Sequence, residues 1–106
     1  MYDLYGAQAW SVDELGKSIG AALGVQFVLH DSDYLGGEYL LWSGTGGERL
    51  LIQENQIEDE EGKYLQEPDF LTFKTIFLVE KTLRGDVYRG QLEKVRGLEF
   101  LRRQSA

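Results

Sequence analysis

Cysteine is absent from this chain of 106 residues, so a disulfide, a thiolate nucleophile and a thiolate metal site are all closed to it. Proline occurs once, and a single histidine, His30, leaves little material for imidazole chemistry. No apolar run approaches the roughly 20 residues that span a bilayer. Met1-Tyr2-Asp3-Leu4-Tyr5 has neither the positive region nor the apolar run of a secretory signal. These absences set the expectation of a cytoplasmic protein with no membrane partner.

What is present suits one folded domain over residues 1–106, with 42% hydrophobic and 12% aromatic residues. A chain of this size buries about two thirds of the surface its unfolded form exposes. Charge is unevenly placed. Residues 1–83 carry fifteen acids against five bases, and the remainder carries six bases against three acids, which together give the net charge of −7. An acidic body repels phosphate backbones and draws cationic partners, so nucleic acid is not expected as a direct ligand.

Ser11 and Glu14 form a Ser-x-x-Glu capping box, with Trp10 and Leu15 at the positions of a hydrophobic staple. The pattern predicts a helix over 12–23, with Leu15, Ile19, Ala22 and Leu23 on one face and Gly24 closing it. Gly16, Gly20 and Gly24 recur every four residues, at a cost in helix propensity that points to close packing within the domain. Strands are predicted over 25–30, 38–43, 48–56 and 74–81, the last buried on both faces through Ile76-Phe77-Leu78-Val79. Tyr88, Leu92, Val95, Leu98 and Leu101 predict a final helix over 86–103. The expected fold is α+β: a two-layer sandwich with a four-stranded, mainly antiparallel sheet and N-terminal and C-terminal helices packed on one face. The other face either presents an apolar patch to a partner or is covered by the loop 57–73.

Chemistry-bearing motifs fail one by one. Asp31-Ser32-Asp33-Tyr34-Leu35-Gly36 begins like a calcium loop, but position 5 is Leu35 and position 12 is Trp42, where oxygen ligands are needed. Gly44-Thr45-Gly46-Gly47 lacks the lysine-serine pair of a phosphate loop and reads as a hairpin connection. No serine occupies a nucleophile elbow. Only the His30, Asp31, Asp33 cluster suggests an acid-base site. No catalytic residue, metal or cofactor is expected.

Seven acids and one base, Lys63, lie between Glu54 and Asp69. Such a run is either a solubilising loop or a docking surface whose carboxylates imitate phosphates in the basic cleft of a nuclease. Tyr64 and Phe70 add aromatic anchors of the kind that dominate interface energetics.

The stretch His30-Asp31-Ser32-Asp33-Tyr34-Leu35-Gly36-Gly37-Glu38-Tyr39, with Glu48-Arg49-Leu50-Leu51-Ile52-Gln53-Glu54-Asn55 and Glu67-Pro68-Asp69-Phe70, resembles small acidic bacterial immunity proteins. These are the cognate antidotes of polymorphic and contact-dependent growth-inhibition toxins, and the likeness spans roughly residues 10–82 in general pattern. It implies a cytoplasmic protein that binds the C-terminal domain of a cognate toxin and blocks it. Charge and aromatic content place the expected interface at Asp31, Asp33, Tyr34, Glu58, Asp59, Glu60, Glu61 and Tyr64, with Trp42 and Phe70 as anchors. The alternative is a self-associating module, a homodimer through strand edges or the second sheet face.

Overall fold

The computed structural model describes residues 1–32, 37–59 and 62–105, with the backbone alone described for Ser32, Glu58 and Asp59. The elements run β1 (Tyr2–Ala7), α1 (Val12–Leu23), β2 (Val28–Ser32), β3 (Gly37–Ser43), β4 (Arg49–Glu54), β5 (Gln56–Asp59), β6 (Gly62–Leu65), β7 (Thr75–Glu80), α2 (Gly85–Leu92) and β8 (Leu98–Gln104). Six strands form one sheet in the order β2-β3-β4-β7-β1-β8, and each neighbouring pair is antiparallel. β5 and β6 pair separately as a two-stranded hairpin. No helix among the described residues is long and apolar enough to cross a membrane.

The α+β class and the antiparallel sheet agree with expectation; the strand number and the C-terminal helix do not. β1 escapes the expected set of strands because it lies between β7 and β8, covered on both faces, and so shows no polar alternation: even Asp3 is buried. The predicted helix over 86–103 ends at Leu92. Gly97 then takes a left-handed conformation at φ 85°, and a Cβ there would lie 2.7 Å from Trp10 Nε1. The chain beyond it pairs with β1, Tyr5 opposite Phe100 and Ala7 opposite Leu98. The apolar residues at 98 and 101 that continued the helical stripe thus belong to a strand.

Both helices pack on one face of the sheet. Leu15 and Ile19 of α1 and Tyr88 and Leu92 of α2 share a buried cluster with Tyr5, Leu50, Ile52, Phe77 and Val79. Burial of each large side chain there stabilises the fold by about 1.5–3 kcal/mol. The capping box forms: the Ser11 N–H donates to Glu14 Oε1 at 3.1 Å, and the Glu14 N–H donates to Ser11 Oγ at 3.2 Å. The glycine row permits close approach, since a Cβ on Gly16 would strike Leu40 Cδ1 and one on Gly20 would sit 2.9 Å from the Val25 carbonyl oxygen.

The segment between β4 and β7 covers part of the second face. Asn55, fully buried, ties it down: its Nδ2 donates to the carbonyls of Phe70 and Phe73 at 3.0 and 2.9 Å, and its Oδ1 accepts from the Glu67 N–H at 2.8 Å. β4 therefore stops at Glu54, short of the expected Gln56. Phe73 lies over Gly6, where a Cβ would be 2.7 Å from its ring, and Glu67 pairs with Arg102 at 3.2 Å. That covers β1 and β8. Toward β2, the cover gives out: Val28 is 56% exposed, and His30 stands exposed, stacked on Tyr39 across the strand pair.

Candidate functional site

Antiparallel register brings the C-terminal ends of β2 and β4 and the beginnings of β3 and β7 to one end of the sheet. α1 begins there too, because Thr75 Oγ1, at the start of β7, donates to the Trp10 carbonyl at 2.6 Å. The hairpin β5–β6 leaves from the same end, directly after Glu54. Strand alternation then decides which side chains meet. Leu29 is opposite Leu40, and Asp31 is opposite Glu38, all four on the face that carries α1. Glu54 follows Ile52, the partner of Leu40, by two residues on that same face. Asp31, Glu38 and Glu54 thus line one corner of the sheet, with Asp13 above them in the first turn of α1, and all four are exposed.

No ion pair holds these four carboxylates among the described residues. Like charges opposite one another on paired strands destabilise the pair, so Asp31 and Glu38 are not explained by folding. Beside them, α1 and residues 25–27, which lead into β2, frame an open groove of about 500 Å³, walled by Asp13 and Lys17 and floored by Phe27 and Leu40. Leu29, opposite Leu40 on the same face, is 55% exposed.

Carboxylates at the opposite end of the sheet are held. Glu48 is buried and accepts from Thr82 Oγ1 at 2.8 Å, from Arg84 Nη2 at 2.9 Å and from the Tyr88 hydroxyl. Burial pushes its carboxyl up, but the hydrogen bonds from Arg84, Tyr88 and Thr82 together outweigh burial and hold it below the ordinary range. Burial, reinforced by Glu48, pushes the Tyr88 hydroxyl up to about 12. Asp3 receives a two-pronged contact from Arg103, Nε at 2.8 Å and Nη2 at 3.0 Å, while Arg103 Nη1 reaches Asp86 at 2.7 Å. These arrangements fasten α2 and the two terminal strands.

The sequence-predicted residues separate into groups. Asp31 lies at the corner. Asp33, Tyr34, Glu60 and Glu61 lie outside the described residues, as do the side chains of Glu58 and Asp59 on β5. Tyr64, 47% exposed on β6, is opposite Ile57. Trp42 is partly buried against the core, with its ring where a Cβ on Gly44 would stand, so it supports the fold from beneath. Phe70 packs edge-on against Phe73 below Arg102. His30 and Asp31, adjacent in a strand, face opposite sides of the sheet, which dissolves the acid-base cluster they suggested. Among the described residues, no group of three or more His, Asp or Glu side chains is placed to hold a metal.

Glu38, Glu54 and Asp13 join the corner although no motif marks them. For Glu38 the signal was available: it starts the strand that pairs antiparallel with β2, and the register sets it opposite Asp31. For Glu54 and Asp13 only the sheet order and the seat of α1 bring them close. Comparison with family models, with curated proteins and with solved structures found no match.

Proposed function

We propose that this domain is a binding protein of the immunity type, which neutralises a cationic toxin domain in the cytoplasm by covering it with the acidic corner. The observation that carries the reading is the row of exposed carboxylates Asp13, Asp31, Glu38 and Glu54, in no ion pair among the described residues, at the end of the sheet from which the acidic hairpin departs. A surface of this sign speeds encounter with a basic partner. Nuclease toxins are basic because their substrate is anionic, which favours that target class. The resemblance of residues 30–39, 48–55 and 67–70 to immunity proteins supports the same reading.

Calorimetric titration of the protein into the toxic C-terminal domain encoded by the neighbouring gene, with that domain's activity assayed in the same samples, tests it. Tight one-to-one binding with loss of toxin activity is expected, and association slows as salt rises. Absence of binding at both low and moderate salt removes the reading. A homodimer is the second reading, favoured by the exposed Val28 and Leu29 on an edge strand. Light scattering separates the two.

A further inference from the structure

We infer that the outer edge of β2, beside the groove under α1, receives an extended basic segment of the partner polypeptide, which joins β2 as a seventh strand. The inference deepens the binding reading and rests on it for the partner's charge. It assigns the surface to which that partner docks.

The two edges of the sheet differ. On β8, Arg102 and Arg103 are anchored to Glu67 and Asp3, and Leu101 lies against Gly6, so the edge is dressed with charge and packing. On β2, Val28 and Leu29 are both more than half exposed, and no proline, lysine or arginine guards the strand. An exposed edge with two neighbouring apolar side chains is a template for another strand, and proteins that recognise peptides by strand addition use such an edge. Backbone pairing supplies affinity there, and alternate side chains supply specificity.

The surroundings select the occupant. α1 packs over β4 and β3, and on β2 Leu29 stays 55% exposed on that face. A strand added to β2 sends every second side chain to that same face. Opposite Leu29 it meets an apolar side chain; opposite Asp31 it meets a carboxylate whose other neighbour is Glu38. An antiparallel partner segment therefore needs a base facing Asp31 and an apolar residue facing Leu29, two positions further along, with a second apolar residue next for Val28. A second copy of this chain fits poorly. Pairing β2 with itself about His30 sets Leu29 against Asp31 at both ends of the contact and joins two bodies of net charge −7.

The test uses the full chain and a synthetic peptide with the core Arg-Tyr-Val-Val, followed by amide chemical-shift mapping and fluorescence anisotropy. The expected shifts cluster on residues 28–32 and on Gly16 and Gly20. Replacing the peptide arginine by glutamate, methylating its strand-pairing nitrogens, or introducing Leu29→Lys or Asp31→Lys in the protein weakens binding by at least about tenfold, or about 1.4 kcal/mol. Thermal unfolding of both protein variants establishes that they remain folded. Equal binding of the methylated peptide overturns strand addition, and equal binding of the acidic peptide overturns the charge argument. Shifts confined to β8, or a dimer that Leu29→Lys converts to a monomer, also overturn the proposal. Should the toxin domain bind while Leu29→Lys leaves that complex unchanged and the peptide does not bind, the β2 edge fails and the immunity reading survives. Peptide binding without toxin binding does the opposite: the β2 edge stands as a strand-addition site and the immunity reading falls.

Discussion

The two ends of the sheet treat their carboxylates differently. At the end holding the first and last strands' outer termini, Asp3 and Glu48 are buried and met by arginine, and they fasten α2 and β8 to the sheet. At the opposite corner Asp13, Asp31, Glu38 and Glu54 are exposed and in no ion pair among the described residues. A buried, partnered acid is part of the fold, because removing it strands its partner in a poor solvent. Acids that repel one another at a surface add nothing to the fold, and they remain free to act on another molecule.

The largest effect is expected of Asp3→Ala. Loss of this buried carboxylate is expected to cost about 3 kcal/mol and to lower the melting temperature by on the order of 15 °C. A variant that melts with the parent would show that the clamp is ornamental. Glu48→Gln comes next, at about 2 kcal/mol, because the amide keeps the shape but loses the charge-assisted hydrogen bonds. The same substitution changes the response to pH. The Glu48 carboxyl is held low in the fold, so its contribution is fully present above the ordinary glutamate range and is lost as pH falls through the folded value. Urea midpoints measured down the acid limb should therefore fall less steeply for Glu48→Gln than for the parent.

Gly20→Ala is expected to destabilise by about 1 kcal/mol despite alanine's better helix propensity, since the Val25 carbonyl at 2.9 Å is backbone and cannot step aside. Chemical denaturation checks the sign, and a stabilised variant would mean that the α1–β2 connection yields. The smallest effect on stability belongs to the acidic corner. Asp31→Asn combined with Glu38→Gln should shift stability by no more than about 0.5 kcal/mol, while slowing association with the toxin domain and flattening its salt dependence in stopped-flow kinetics. Unchanged association would put the working surface elsewhere.

Legibility in the sequence followed the distance over which each signal acts. α1 was readable from Ser11, Glu14 and the Leu15, Ile19 stripe, because caps and helical periodicity act within a few residues. β7 announced itself through Ile76-Phe77-Leu78-Val79, and it lies inside the sheet between β4 and β1. β1 and β8 were not readable as a pair. Their partners are about a chain length apart, Tyr2 opposite Gln104, and β1 is buried on both faces. Leu98 and Leu101 satisfied a helical stripe as well as a strand, and the contact of Gly97 with Trp10, a long-range event, stands at the break between them. At the candidate site, Asp31 was marked by its turn, whereas its neighbours Glu54 and Asp13 come from elements whose adjacency no local pattern encodes.

By itself the sequence determined the sign and size of the charge, the absence of thiol chemistry, the first helix and the local hairpins, since these depend on composition and short-range geometry. Only the tertiary structure decided that two terminal strands close the sheet, that some acids become buried clamps and others a free corner, and that β2 is left as an open edge. Those outcomes depend on which distant segments pack together, and hydrophobic burial selects among such pairings through the whole core at once.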